Sequence, residues 1–467
     1  MDGSIPGSPS ATEDHGICAL LMILSATALS IANNVDLYNH IRFAICGLSL
    51  GIALCGAGVI LPSLRNLRIS TNRLATIIGL SVAMQIFISP MEGSTSGFLT
   101  LFIGGVAVLS LFDCKRRMLL LGTMGFVFFV TTSIAIHRSS TIWSDVLMSQ
   151  QKACHYLARG VNPYTARYPN IYGVNTPLYA PGMVDADNNL RFGFGYPPLS
   201  LLMMLPAYLI TCDIRYGLAA ALAVSAVLIG LAVEGRLGVL AAAAMLAAPQ
   251  WTRMLKFGWI EPVMLLNFSL MMFCACRWRR GLPWALGLFL ATKQYSILAL
   301  PLFPLLFDSR IDGKGWPKSL FKTAIVLAVI NGPFFLWNPA AFVQSLVTAH
   351  FMQSFRPDAL SFTAWIYRHS GGWVLPMWVA LPAIFIATGE SLWRGVRSPA
   401  GFAAAMTLVL LVFFAFNKQA FCNYYYFMIA AAWWSVAAAK LPMSQSAVTG
   451  TDPFGGNQRS VLVAGAA

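Results

Sequence analysis

Charged residues are scarce in this sequence. Only 10% of its 467 residues are Asp, Glu, Lys or Arg, whereas 57% are hydrophobic. A soluble domain keeps about a quarter of its residues charged, so this composition excludes an ordinary soluble protein and predicts a polytopic membrane protein. The mean hydropathy of +0.68 agrees with this prediction. A chain of this length is then compatible with one helical bundle in lipid.

Long basic runs and metal-binding cysteine patterns are also missing. The net charge of +14 comes from short Lys/Arg clusters between apolar stretches, which is typical of cytoplasmic loops and not of a nucleic-acid-binding surface. The nine cysteines form neither a CxxC pair nor a Cys/His ligand spacing. No glycine-rich nucleotide-binding fingerprint is present. We therefore expect no nucleic-acid partner and no metal or other cofactor, with a divalent ion at Asp185 and Asp187 as the less favoured alternative.

Apolar stretches of about 20 residues, enough to cross a bilayer, are abundant. Two further stretches, at 237–256 and 282–307, are short or are interrupted by Lys293 and Gln294, and we predict that each is a broken, re-entrant helix pair beside a cavity. The sequence thus predicts an all-α transmembrane bundle of about twelve spans with interfacial helices in external loops. The candidate spans are 17–33, 42–62, 74–90, 98–112, 118–137, 195–212, 216–233, 258–276, 318–337, 372–389, 399–416 and 424–440.

The short basic clusters predict the orientation of the bundle, because Lys and Arg accumulate in cytoplasmic loops. Both termini are then cytoplasmic, and 138–194 and 338–371 are external loops. Residues 17–440 form one transmembrane domain between flexible tails at 1–16 and 441–467, and the first of these lacks the basic start of a signal peptide. The clusters are Arg65/Arg68/Arg73, Lys115/Arg116/Arg117, Arg277/Arg279/Arg280, Arg310/Lys314/Lys318 and Arg394/Arg397.

A polar segment, SDVLMSQQKACHYLARGVNPY (144–164), interrupts this apolar chain. Its pattern predicts an interfacial helix over 143–158 that Trp143 anchors and Gly160 ends. Asp145 falls on the first turn, near the mouth of a cavity between spans. Two interpretations stay open: a chemical role for this carboxylate, or a first-turn acid that complements the helix dipole beside a Ser144 cap.

Several motifs follow in an order that resembles the GT-C superfamily of membrane glycosyltransferases. They are an Asp after a span, GVNPY (160–164), YPPL (196–199), KFGWIEPVMLLNFSL (256–270), ALGLFLATKQYSILALPLF (285–303) and FNKQAFCNYYYF (416–427). Together they are most similar to glycosyltransferase family 87, which includes polyprenyl-phosphate-mannose-dependent mannosyltransferases. The resemblance covers 118–440 and leaves 17–112 as four extra N-terminal spans.

The resemblance implies an inverting transferase at the external face of a bacterial inner membrane. It would move a sugar, mannose by this resemblance, from a polyprenyl-phosphate donor to a hydroxyl of a glycolipid, polysaccharide or protein. Since a lipid phosphate is already a stabilised leaving group, one base suffices, and Asp145 matches the family's catalytic Asp. The predicted donor-phosphate ligands are Lys293, Lys418 and His350, and the predicted substrate-binding residues are Tyr164, Tyr196, Gln294, Gln419, Asn423, Tyr424 and Glu261.

Each of these roles has a structural alternative. Lys293 would instead pair with Glu261 inside the bundle, and Lys418 would instead reach for the membrane interface. Tyr425 and Tyr426 are predicted to belong to an aromatic belt at the headgroups. At the level of function, the alternative is a transporter or flippase for a lipid-linked sugar, which also has broken helices and an intramembrane Lys.

Overall fold

A computed structural model describes residues 14–35, 37–89, 94–112, 116–139, 144–173, 176, 178–307 and 316–439. The predicted anchor Trp143 and most of both predicted tails, at 1–13 and 440–467, lie outside these residues. The described chain is mostly helical, and its few strands are two or three residues long. The prediction of an all-α fold is confirmed.

The helices follow one another along the chain, with the longest connections after α6 and after α12. They are α1 (Ile17–Ala32), α2 (Leu37–Ile60), α3 (Thr71–Ile88), α4 (Ser94–Phe112), α5 (Arg117–Arg138), α6 (Asp145–Ala158), α7 (Pro198–Thr211), α8 (Arg215–Ala232), α9 (Arg236–Ala247), α10 (Gln250–Phe257), α11 (Glu261–Arg277), α12 (Leu282–Leu290), α13 (Trp316–Trp337), α14 (Pro339–Val343), α15 (Ala349–Met352), α16 (Phe362–His369), α17 (Ala380–Arg394), α18 (Pro399–Ala415) and α19 (Cys422–Ala437). A π-helical turn, Gln344–Thr348, joins α14 to α15, and 3-10 turns occupy Pro62–Asn66, Arg279–Gly281, Gln294–Ala299, Phe303–Leu306 and Met377–Val379.

Five of the described helical segments are long and apolar enough to cross a membrane: Asn39–Ile60, Thr71–Ile88, Arg117–Arg138, Arg215–Ala232 and Pro317–Trp337. The bent pair α10 and α11 would add a sixth, and several other helices are apolar but shorter. These segments indicate a membrane protein. Every predicted span overlaps a helix, although the one at 372–389 begins only at Ala380. The count of about twelve spans is not confirmed.

Helices α9, α18 and α19 form the centre of the bundle. Residues 237–247 of α9 are all buried, as expected for a helix that is apolar all round. The prediction that Tyr425 and Tyr426 belong to an aromatic belt is wrong, because both side chains are fully buried in α19. Tyr426 donates its hydroxyl to the carbonyl of Met245 at 3.1 Å, and Tyr425 donates to the carbonyl of Leu360. Buried tyrosines need such partners, and these two have them inside the protein.

Both predicted broken segments are broken. Within 237–256 the helix stops at Ala247, and α10 begins at Gln250 beyond Pro249. Within 282–307 helix α12 stops at Leu290 and the chain continues in 3-10 turns. A further bend was not predicted: α10 and α11 meet at 119° around Gly258, whose φ of +65° is left-handed.

One end of the bundle collects basic side chains, and we call it the basic end. Arg117 of α5 donates to the carbonyl of Leu231 at 3.2 Å, and Arg236 of α9 donates to that of Leu111 at 3.1 Å. Arg277 of α11 donates to the carbonyl of Ala232 at 2.8 Å. Arg117 and Arg277 belong to two of the predicted short-loop clusters, and the first residues of α3 also meet α9 there through a bond between Arg236 and Asn72.

The extra N-terminal helices are joined to the rest of the bundle by a buried polar network. The Gln250 amide in α10 donates to the carbonyl of Ser30 at 2.8 Å, and the Ser30 hydroxyl donates to Gln85 of α3 at 3.4 Å. The predicted flexible tail at 1–16 needs a correction, since strand β1 (Asp14–Gly16) pairs antiparallel with β2 (Arg68–Ser70). A second short pair, β3 (Tyr168–Pro169) with β4 (Asn189–Leu190), orders the loop after α6.

Candidate active site

A cavity of 870 Å³ lies at the end of the bundle opposite to the basic end. Its walls come from the first residues of α6, α11 and α19, from the 3-10 turn after α12, and from the π-helical turn before α15. Ten of the eleven predicted site residues line it, although they come from six separate segments of the chain. These are Asp145, Tyr196, Glu261, Lys293, Gln294, His350, Lys418, Gln419, Asn423 and Tyr424.

Asp145 is the first residue of α6 and is oriented by two hydrogen bonds. Its Oδ1 accepts the backbone N–H of Val146 at 2.8 Å and the hydroxyl of Tyr172 at 3.1 Å. Among the described residues Oδ2 accepts none. Ser144 occupies the N-cap position, but its side chain makes no capping hydrogen bond to the described backbone. Of the two residues in the capping interpretation, Asp145 thus accepts a first-turn N–H of α6, whereas Ser144 makes no cap. Oδ2 of Asp145 is left for a ligand.

The bend at Gly258 holds helix α6 in this position. A Cβ on Gly258 would lie 2.8 Å from the Cβ and 3.0 Å from the Cα of Leu147, which is tighter than real Cβ contacts allow. Leu147 belongs to the buried face of α6, together with Gln150 and Cys154. Gly258 thus lets the first turn of α6, and with it Asp145, approach the start of α11.

Lys293 forms a buried ion pair with Glu261, which is the structural alternative to a free phosphate ligand. Lys293 is 5% exposed and Glu261 is fully buried, and Nζ contacts Oε1 directly. Nζ also lies 4.8 Å from the centre of the Tyr424 ring, 5.5 Å from that of Tyr196 and 5.3 Å from that of Tyr295. Burying a charge is costly unless it is paired, so Glu261 explains how Lys293 is tolerated here. Phosphate binding by Lys293 stays a prediction.

Lys418 lines the cavity and is held by backbone carbonyls. Its Nζ donates to the backbone carbonyl of Phe351 at 2.9 Å and to that of Gln353. Next to it, Gln419 donates to the carbonyl of Ser354 at 3.1 Å. These bonds attach the loop before α19 to the segment after α15. Among the described cavity walls, no carboxylate pairs with Lys418, so its positive charge is available to an anion.

Arg356 and Asp358 form a closed ion pair in the same wall. Nε of Arg356 donates to one carboxylate oxygen of Asp358 at 2.8 Å, and Nη2 donates to the other at 2.6 Å. The guanidinium lies 4.8 Å from the centre of the Phe421 ring. Burial lowers the pKa of Arg356, but the bond and charge of Asp358, followed by the charge of Asp145, outweigh it and raise the pKa. Asp145 is therefore within electrostatic reach of this pair.

His350 lines the cavity as a neutral side chain. Burial, aided by the charge of Lys293, lowers the pKa of His350 to about 4. Near neutral pH the imidazole can then offer a hydrogen bond but no charge, and phosphate binding by His350 stays a prediction. Asn423 is only 5% exposed, and its Oδ1 has no hydrogen-bond partner among the described residues. Gln294 donates to the carbonyl of Gly195 at 2.8 Å.

The prediction that Tyr164 binds substrate is wrong. Tyr164 is 1% exposed and is not part of the described cavity walls. Its hydroxyl donates to the carbonyl of Tyr196 at 2.7 Å, and its ring packs against those of Phe194, Phe334 and Phe342. Tyr164 thereby joins the segment after α6 to the turn before α7, which carries Tyr196.

Several cavity residues were not predicted from the sequence. Tyr172 and Tyr179 lie in an irregular loop, where no periodicity distinguishes them from other aromatic residues. Tyr295 follows the predicted Lys293 and Gln294 directly, so the same motif could have found it. Asp358 lies two residues after Arg356, and this spacing of opposite charges was the available signal.

The cavity also has an apolar side that is open at the protein surface. Ile297 of the 3-10 turn is 56% exposed, Val347 of the π-helical turn is 49% exposed and Phe351 is 72% exposed, yet all three line the cavity. Leu298, Phe413 and Phe414 continue this surface inwards. The cavity therefore joins polar groups to exposed apolar side chains.

A metal site was expected to be absent, with Asp185 and Asp187 as the less favoured alternative. Asp185 accepts the backbone N–H of Asn189 at 2.8 Å, whereas Asp187 is exposed and lies 3.7 Å from Arg167. The described part of the chain contains no group of three His, Cys, Asp or Glu residues arranged to hold a metal ion. Metal independence stays an expectation.

Comparison with known proteins adds no relative to this picture. No protein-family model matches the chain, and no curated protein or solved structure is significantly similar to it.

Proposed function

We propose that this protein is an inverting glycosyltransferase that moves a sugar from a polyprenyl-phosphate donor to an acceptor hydroxyl. By the resemblance in the sequence the sugar is mannose. One observation carries the proposal: Asp145, with a free oxygen, lines the same cavity as Lys418 and Lys293, and exposed apolar residues line this cavity as well. A base, cations and an apolar entrance are what this reaction needs in one place.

The chemistry divides the cavity between two substrates. Asp145 takes the proton of the acceptor hydroxyl while that oxygen attacks the anomeric carbon. The bond from this carbon to the phosphate oxygen breaks, and the phosphate leaves with the bonding electrons. Lys418 and the Lys293 side of the cavity then stabilise the departing anion. Attack from the face opposite to the leaving group inverts the anomeric centre, and no second carboxylate is needed to protonate the phosphate.

The exposed apolar side of the cavity suits the lipid part of such a donor. Ile297, Val347 and Phe351 would contact a polyprenyl chain that enters from the bilayer while its phosphate reaches Lys418. This geometry favours a lipid-linked donor over a nucleotide sugar, which arrives from water and needs no apolar entrance.

The proposed setting is a GT-C-like bundle of about twelve spans in a bacterial inner membrane. The collection of Arg117, Arg236 and Arg277 at the basic end supports a cytoplasmic location for that end, because short cytoplasmic loops are rich in Lys and Arg. Both termini would then be cytoplasmic and the cavity external. The acceptor would be a glycolipid, a polysaccharide or a protein outside the cytoplasm.

The assay for this function uses membranes that contain the protein, radiolabelled polyprenyl-phosphate-mannose and candidate acceptors. We expect transfer of the label by the native protein and a loss of at least 100-fold for Asp145→Asn, which is a typical contribution of a general base. Asp187→Asn is the matched control, since it neutralises an exposed carboxylate outside the described cavity walls. Transfer that survives Asp145→Asn would overturn the proposal.

A second candidate, a transporter or flippase for lipid-linked sugars, is favoured by the broken helices around the cavity. Helices α10 and α11 meet at 119°, and α12 gives way to 3-10 turns at Lys293. Broken helices beside a buried charge are frequent in transporters. Label that crosses the bilayer of sealed vesicles without being transferred would favour this alternative over the enzyme.

A further inference from the structure

The end of the cavity that contains Asp145 has its own set of polar and aromatic groups. The rings of Tyr172 and Tyr179 lie 6.0 Å apart at 44°, and the Tyr172 hydroxyl is bonded to Asp145. The closed pair of Arg356 and Asp358 lies within electrostatic reach of Asp145, as the pKa of Arg356 indicates. The exposed apolar residues Ile297 and Phe351 are other members of the same cavity wall.

The charges in the cavity are not evenly distributed. Lys293 is balanced by Glu261, and Arg356 is balanced by Asp358. Among the described lining residues this leaves Asp145 as a negative charge and Lys418 as a positive charge, each without an ion-pair partner. An anion is attracted to Lys418 and repelled by Asp145, because charges that line a protein cavity interact more strongly than charges in bulk water.

A closed Arg–Asp pair is well suited to adjacent hydroxyl groups. Arg356 has five N–H groups, of which Asp358 engages one on Nε and one on Nη2. The remaining N–H groups can donate to one sugar hydroxyl, and the carboxylate of Asp358 can accept from its neighbour. The pair has no net charge, and Phe421 under the guanidinium fixes its position. Tyr172 and Tyr179 offer aromatic faces for the carbon–hydrogen side of a ring.

We infer that the Asp145 end of the cavity is the acceptor subsite, and that it takes a neutral sugar ring with two adjacent hydroxyls, held by Arg356 and Asp358. This inference rests on the proposed function and narrows the acceptor, which that function leaves as a glycolipid, polysaccharide or protein. Arg356 is then a specificity residue for the acceptor and does not bind the donor phosphate.

The test compares three probes as acceptors for radiolabelled polyprenyl-phosphate-mannose: octyl mannoside, octyl mannoside 6-phosphate, and a threonine-containing peptide. We expect transfer to octyl mannoside and little or none to the other two. In Arg356→Lys and in Asp358→Asn, the KM for octyl mannoside should rise at least tenfold, while binding of the labelled donor changes less than twofold. Donor binding also reports that each variant folds, and Asp358→Glu, which keeps the charge but moves the oxygens, is a further variant.

The exposed pair of Arg167 and Asp187 provides the matched control, because Arg167→Lys and Asp187→Asn alter the same residue types outside the described cavity walls. Equal transfer to the phosphorylated probe or to the peptide would overturn the inference and leave the proposed function standing. An unchanged KM for octyl mannoside in both cavity variants would do the same. If the native protein transfers label to none of the three probes, the inference and the proposed function both fail.

Discussion

Tyr172 donates its hydroxyl to Oδ1 of Asp145 across 3.1 Å, although the two residues are 27 positions apart in the chain. This bond connects the first turn of α6 to the loop that β3 and β4 order. It fixes one oxygen of the carboxylate, while the other accepts no hydrogen bond from the described residues. The loop after α6 is therefore part of the candidate active site and not merely a connection between helices.

Removal of this hydroxyl should weaken the reaction without removing the base. We expect Tyr172→Phe to lower kcat about tenfold, because a hydrogen bond to a charged group contributes about 1.5–3 kcal/mol. Burial raises the pKa of Tyr172 to about 12, so the hydroxyl stays protonated and the loss should be the same throughout the neutral range. Steady-state transfer rates measure the effect. Tyr179→Phe is the control, and an equal loss there would contradict the special role of Tyr172.

Gly258 should not tolerate even a methyl side chain. Gly258→Ala places a methyl group against Leu147 and forces the left-handed backbone on a residue with a Cβ, so α6 must shift and carry Asp145 with it. We expect at least a tenfold loss of kcat together with a lower Tm.

Gly160→Ala separates these two causes. Gly160 has a similar φ of +72°, but an added Cβ there would meet nothing within 4 Å among the described residues. This variant should show the backbone strain alone, about 1 kcal/mol, with activity close to native. A comparable loss of kcat in both variants would contradict the contact with Leu147 as the cause.

The pair of Lys293 and Glu261 should be tightly coupled in stability. Glu261→Gln and Lys293→Met each leave one uncompensated buried charge, and breaking such a pair costs about 3–5 kcal/mol. The double variant removes both charges, so we expect it to be more stable than the sum of the single effects predicts. Thermal or chemical unfolding in detergent measures the coupling. Strictly additive single effects would mean that the two side chains do not interact in solution.

His350 makes stability depend on pH in a defined direction. Its pKa is lowered from 6.5 to about 4, chiefly by burial and also by the charges of Lys293 and Lys418. The folded protein therefore favours neutral imidazole: this stability is fully present above pH 6.5 and is lost as the pH falls towards 4. We expect the Tm of His350→Gln to fall less than that of the native protein over this range. The exposed His369→Gln should keep the native slope, and a native slope in His350→Gln would refute the assignment.

The sequence was most informative at the ends of helices. Asp145, Glu261 and Lys293 each stand where an apolar stretch begins or breaks, and polar residues at such points are tolerated only beside a cavity. Because of that constraint, motifs that are far apart in the sequence could be assigned to one site. The partner of each charged side chain was not predictable, because ion pairing depends on distances in the folded protein. Lys293 binds Glu261, whereas Lys418 binds backbone carbonyls.

Tyrosines were the least predictable part of the site. Tyr164, Tyr425 and Tyr426 have the composition of an interfacial or sugar-binding surface, yet their hydroxyls bond to carbonyls inside the protein. Tyr172, by contrast, lies in an irregular loop and donates its hydroxyl to the carboxylate of Asp145. An amphipathic side chain fits either environment, and the backbone around it decides which one it finds.

Because Gln250 bonds to Ser30, the first four helices are an integral part of the bundle. Without α1, the amide of Gln250 would lose its acceptor inside an apolar bundle, where an unsatisfied polar group costs several kcal/mol. Helix α10 would lose its anchor, and Glu261 and Gly258 follow directly behind it. Any shortened version that starts at α5 should therefore lose the shape of the cavity along with the removed helices.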